Sequence, residues 1–159
     1  MKIKISLDLI KIFDKLNKGK KMKTRVRAII VDDKSILLTH RLKEGKEYYV
    51  FPGGGVEQGE DEEVALKREV EEELGVTVKI GERFALIPLN IEGKEPQEEI
   101  FYLCTITGGK LGTGNGPEFK PDTSYKGTYT IEWIILENLE KLTVLPEQVK
   151  QKILEEVKK

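Results

Sequence analysis

Glu69, Glu72 and Glu73 stand at i, i+3 and i+4 within residues 60–74, a stretch without glycine or proline. On a helix this spacing puts three carboxylates on one face. Like charges that close repel one another and weaken the helix unless a cation neutralises them. Hard divalent cations take oxygen ligands, and magnesium commonly holds one or two carboxylates together with substrate phosphates. The pattern therefore predicts a metal. A solvated glutamate face is an equal competitor on these three residues alone, and it is the preferred reading for Glu62, Glu63 and Glu71.

The preceding loop supports the metal. Gly53, Gly54 and Gly55 let the backbone approach a ligand closely and adopt positive φ. A carbonyl from this loop is a candidate metal ligand, and its amides are placed to face phosphate. Arg68, beside the acidic cluster, reads as a pin for those carboxylates.

The elements that must position this segment follow from periodicity. Residues 24–31 read as a β-branched strand, 32–34 as a turn, 35–39 as a returning strand and 48–51 as a short strand ended by Pro52-Gly53-Gly54-Gly55. In 60–74, Val64, Ala65, Leu66, Val70 and Leu74 suit a helix with one buried stripe, and Gly75 stands where a C-terminal cap belongs. Residues 76–91 read as one long or two short strands, and 98–107 as another. Six glycines and two prolines mark 108–127 as a long loop. A strand over 128–136 and a helix over 147–158 complete an α+β fold. Residues 1–22 read as a separate amphipathic extension and linker that packs on its own domain or on a second copy in a homodimer. Residues 23–159 form the main domain, with Met22 an alternative start.

Composition narrows the classes. At 159 residues the chain buries an adequate core, and a formal net charge of −1 gives no basic field for nucleic acid. No apolar run approaches a membrane span, and Asp8, Lys11 and Asp14 interrupt the N-terminus, so a cytoplasmic protein is expected. The single cysteine, Cys104, excludes an intrachain disulfide and reads as a small buried hydrophobe.

Residues 54–76 resemble the Nudix box of the MutT-like hydrolases: a glycine, five residues, Glu, seven residues, Arg-Glu, an aliphatic, any residue, Glu-Glu, any residue, Gly, an aliphatic. Gly54, Glu60, Arg68, Glu69, Val70, Glu72, Glu73, Gly75 and Val76 fill it without departure. Seven fixed residues at background frequencies match by accident about once in 10⁸ starts. The resemblance runs over about residues 23–145 and implies an α/β/α sandwich, a mixed β-sheet between helices.

It further implies that Glu69, Glu72 and Glu73 bind Mg²⁺ or Mn²⁺, that Gly53 supplies a carbonyl to the shell, and that Glu69 is a base. Glu60 and Arg68 would hold the loop and helix together by a salt bridge. A later Glu98 or Glu99 is a candidate base or ligand, and Arg41 a candidate phosphate contact with Gly54 and Gly55. His40, the only histidine, is read as a surface or hydrogen-bonding residue. Tyr48, Phe119, Tyr125 and Trp133 are read as packing before substrate stacking.

The implied reaction is hydrolysis of a diphosphate linkage in a small nucleotide: an NTP, an oxidised NTP or an ADP-sugar. A bound dication neutralises the anionic oxygens and activates a water, and a carboxylate takes its proton. The competing reading is a Nudix-fold nucleotide-binding module without catalysis, which the intact glutamates disfavour. Selectivity is expected from loops, chiefly 108–127.

Overall fold

The computed structural model describes residues 7–19, 21–116 and 127–159. In chain order the elements are α1 (Leu7–Leu16), β1 (Lys23–Asp32), β2 (Ser35–Lys43), β3 (Lys46–Val50), β4 (Gly53–Gly55), α2 (Glu62–Leu74), β5 (Val76–Leu89) and β6 (Gln97–Gly109). Then come β7 (Thr128–Ile135), a 3₁₀ helix (Leu136–Lys141), β8 (Val144–Leu145) and α3 (Glu147–Val157).

The sheet runs β5-β6-β1-β2-β3-β8, with β4 also paired to β1 and β7 to β2. β1 pairs in parallel with β6, as β3 does with β8, and the other pairings are antiparallel. The sheet is therefore mixed, as the resemblance implied.

Strand alternation divides the core in two. Val26, Ala28 and Ile30 of β1 turn towards α2 and join Leu66, Val70, Leu74, Ile100 and Cys104. Ile29, from the opposite phase, joins Phe51, Phe101, Leu139, Val149 and Ile153 beneath α3. Leu66, Val70 and Leu74 are fully buried, each contributing roughly 1.5–3 kcal/mol of transfer free energy. The layers are thus helix, sheet, helix.

α2 begins two residues into the stretch 60–74 that lacks glycine and proline, because Asp61 caps it: the Asp61 carboxylate accepts from the Glu63 backbone N–H at 2.9 Å. It ends at Gly75, whose φ of 75° lets its N–H reach the Glu71 carbonyl. Val64, expected in the buried stripe, is exposed, since it lies one step round from the Ala65–Leu66–Val70–Leu74 face. The first turn is tied to the sheet by Tyr102, which donates to Glu62 at 2.6 Å, and by Arg83, which donates to the same carboxylate at 3.1 Å.

Residues 76–89 form one strand interrupted by register shifts rather than two strands. The glycine-rich segment leaves β6 after Gly109; Phe119, Tyr125 and half of the loop expected to select substrate lie outside the described residues. In α1, Phe13 is buried while Leu9, Ile12 and Leu16 are exposed. Among the described residues, no helix is long and apolar enough to cross a membrane.

Candidate active site

The glycine loop is brought to the acidic helix by β1. β4 pairs antiparallel with it, Gly53 opposite Arg27, Gly54 opposite Val26 and Gly55 opposite Arg25. Gly53 takes φ 144°, and a Cβ there would overlap the Val26 carbonyl oxygen. Only glycine fits such a position without displacing the strand. Its N–H donates to Glu73 Oε2 at 3.0 Å, fixing a carboxylate that is only 9 % exposed. Gly54 faces the second carboxylate: a Cβ on it would lie 2.5 Å from Glu69 Oε2 and 2.6 Å from Oε1.

Arg68 organises the remaining acids. It donates through Nε and Nη2 to the two oxygens of Glu60, at 2.8 and 2.9 Å, and through Nη2 to the Gly55 carbonyl at 3.1 Å. Nη1 reaches Glu69 at 2.9 Å and Glu72 at 3.5 Å. The hydrogen bond from Arg68, aided by the Glu57 backbone N–H, pulls the Glu60 carboxyl down to about 2. The reciprocal bond to Glu60 raises Arg68 above its usual value. This fork ties the loop to the helix through two-point contacts.

Glu69, Glu72 and Glu73 thus share one helix face, but among the described residues no three acidic, histidine or cysteine side chains converge on a common point. The reason is local: Arg68 Nη1 draws Glu69 and Glu72, while the Gly53 N–H holds Glu73. The Gly53 carbonyl, implied as a ligand, accepts from Arg27 Nη1 at 3.1 Å. The donor set nonetheless fits a hard dication. It is all oxygen, three carboxylates lie within five residues, and their side chains run from nearly buried to 37 % exposed at Glu72, which leaves one side of the cluster open to solvent.

The other expected residues are spread around this centre. Glu98 accepts from the Thr24 hydroxyl at 3.1 Å. Glu99 lies across from it, with Arg27 Nη2 at 3.3 Å and Arg25 Nε at 3.6 Å. Arg41 places its guanidinium 5.0 Å from the Tyr129 ring centroid, a cation–π contact that orients it. His40 contacts Glu132 at 3.0 Å and Glu47 at 2.7 Å and stacks on Tyr49, well within a hydrogen-bonding role. Tyr48 is half-buried, and Trp133 is more exposed than packing alone predicts because β7, among the described residues, pairs only with β2.

Arg25 and Arg27 were not singled out in the sequence. Their signal was the alternation Lys23, Arg25, Arg27 against Val26, Ala28 and Ile30 in β1, which puts these cations on the side of the strand turned away from the core under α2. Arg27 donates to both the Phe51 and Gly53 carbonyls at 3.1 Å, so it shapes the loop from below. Beside it opens a cleft of about 410 Å³ walled by Leu89, Leu145 and Pro146 over the buried Phe51 and Phe101, with Glu99 at its edge.

Residues 21–153 match the NUDIX domain family. A Caenorhabditis elegans protein named as a nudix hydrolase 1 is 41 % identical over 85 residues, which is 52 % of this chain and 22 % of that protein. The chain thus aligns with about a fifth of that relative's length. Among solved structures, the E. coli ORF135 protein is 24 % identical with a TM-score of 0.61, covering 87 % of this chain and 91 % of that one. A MutT NUDIX hydrolase from Burkholderia pseudomallei is 22 % identical with a TM-score of 0.64, covering 84 % and 99 %. At these identities the structural likeness speaks to the fold.

Proposed function

The chain belongs to the NUDIX family, and on that premise we propose that it is a Mg²⁺-dependent hydrolase of the diphosphate linkage in a small nucleotide. The observation that carries the reading is the contact of Gly53 and Gly54 with Glu73 and Glu69, which mates a phosphate-type glycine loop to an acidic helix face.

In this reading Glu69, Glu72 and Glu73 hold the cation, with Mn²⁺ as its substitute. The bound cation neutralises the diphosphate oxygens and lowers the pKa of an attacking water. Glu69 takes the proton of that water as its oxygen bonds to one phosphorus in line, and the phosphate on the far side leaves with the bond's electron pair. Gly54 and Gly55 give the substrate backbone to lie against, and Arg41 supplies a cation for a phosphate. Glu98 or Glu99 is a second candidate for the base. Glu60 and Arg68 keep loop and helix in register. The organic part of the substrate occupies the cleft beside Leu89, Leu145 and Pro146, whose apolar walls suit a planar ring. The products are a nucleoside monophosphate and either pyrophosphate or a phosphorylated second moiety. The reading places the protein in the cytoplasm, where a reduced thiol such as Cys104 is ordinary.

A panel of nucleoside triphosphates, oxidised triphosphates, ADP-ribose, nucleotide sugars and dinucleoside polyphosphates, assayed with Mg²⁺ and with Mn²⁺, tests this. Turnover of at least one compound is expected, abolished by EDTA and in Glu72→Gln. A folded protein that binds nucleotides but turns over none would move the assignment to a binding module.

A further inference from the structure

We propose that Arg25 and Arg27 form an anion subsite, so that the preferred substrate carries a further phosphate beyond the linkage that is cut. This rests on the hydrolase reading above and names the substrate class for the same site.

The register of β1 places the pair. Arg25 and Arg27 lie opposite Gly55 and Gly53 on the β4 side, and Arg25 lies opposite Glu99 on the β6 side. Both guanidiniums therefore flank the glycine loop where a diphosphate would enter. They share one carboxylate oxygen, Glu99 Oε1, at 3.6 and 3.3 Å. A single carboxylate thus contacts both guanidiniums, with Glu69 and Glu73 acting on Arg25 from farther off. Lys23, next on the same side of the strand, is matched separately, by Glu95 at 3.4 Å.

The hydrogen bonding of Arg25 is incomplete. Its Nε is shut off from solvent and has no hydrogen-bond partner, since 3.6 Å to Glu99 is an ion pair but too long for a hydrogen bond. A buried donor left unmade costs free energy, and a turn of this side chain, 41 % exposed, would bring it to a ligand oxygen. Burial and the neighbouring Arg27 lower the pKa of Arg25, and the opposing pull comes from Glu99, Glu69 and Glu73. That set of neighbours puts Arg25 within electrostatic reach of the acidic helix. A tetrahedral phosphate matches paired guanidiniums, because Arg presents its donors as a planar fork. A sugar hydroxyl in the same place would accept one hydrogen bond but bring no charge to meet the two guanidiniums. The class selected is a nucleoside triphosphate, or a nucleoside diphosphate joined to a phosphorylated moiety.

Calorimetric titration of the full chain with inorganic tripolyphosphate, in EDTA at low ionic strength, tests the subsite without requiring turnover. The wild type should bind saturably, and Arg25→Gln should weaken binding at least tenfold. Arg27→Gln should do the same, although it also releases two loop carbonyls, so Arg25→Gln is the deciding variant. Glu99→Gln should tighten binding several-fold by removing the competing carboxylate, a gain that damage to the fold would not produce. Wild-type affinity in Arg25→Gln, no gain in Glu99→Gln, or no binding by the wild type would each overturn the subsite. None of these results touches the hydrolase reading, which stands or falls on metal-dependent turnover.

Discussion

Gly54 leaves open the space that the Glu69 carboxylate fills. All three nearest atoms to a Cβ at residue 54 belong to that carboxyl group. Adding one methyl should therefore push the acid aside while leaving the strand alone, since φ at Gly54 is not in the left-handed region. Gly54→Ala is expected to lower kcat by about 10²-fold, the effect of a misplacement near 1 Å, with little change in thermal stability. Gly53→Ala should behave in the opposite manner: its Cβ meets the β1 backbone, so unfolding should become easier by more than about 2 kcal/mol. Turnover and denaturant unfolding of the two variants separate these outcomes.

Glu73 both belongs to the acidic face and receives the Gly53 N–H. Glu73→Gln keeps an oxygen acceptor and should unfold within about 1 kcal/mol of wild type while losing turnover. Glu73→Ala leaves the Gly53 N–H without its acceptor and should lose turnover and a further 1–3 kcal/mol or so of stability. Urea unfolding of the pair checks the split; equal stabilities would mean that the hydrogen bond holds nothing in place.

The Glu60–Arg68 fork has a pH signature. Its hydrogen bonds depress the Glu60 carboxyl to about 2, against roughly 4.3 in an unfolded chain. A depressed carboxyl contributes stability that is complete above the unfolded value and is lost as pH falls through the folded one. Melting temperatures of wild type and Glu60→Gln should differ most above about pH 4.5 and converge towards pH 2. Parallel curves across that window would contradict the fork.

Cys104 lies in the core beneath α2, and burial pushes its thiol up to about 12. The thiolate is the reactive form, so iodoacetamide at pH 8 should leave the native protein unlabelled and modify it fully in denaturant. Rapid native labelling would show that this part of the core opens.

How much of this was legible in the residues depended on the range of the interactions. The acidic face of α2 and its glycine cap are local patterns, read within one or two turns of chain, whereas the pairing of Glu60 with Arg68 was implied by the resemblance to the Nudix box. The layering of helices on a mixed sheet was legible from the mix of elements and from the resemblance. What was missed depends on which strands become neighbours. Nothing in the order of residues says that Arg25 meets Glu99, because β1 and β6 are parallel partners more than 70 residues apart. The same holds for Arg27 beneath Gly53, for Tyr102 on Glu62, and for the Thr24 hydroxyl on Glu98. Val64 was misplaced because a helical stripe has a soft edge, and packing against the sheet chose Ala65 instead.

The central claim is that the glutamates of α2 hold a divalent cation. Titration of the nucleotide-free protein with Mn²⁺, following the free ion by electron paramagnetic resonance, addresses it most directly. The wild type should take up Mn²⁺ saturably, with competition by Mg²⁺, and Glu72→Gln should bind at least tenfold more weakly while melting as the wild type does. Equal Mn²⁺ uptake by the two proteins, or none by either, would contradict the account.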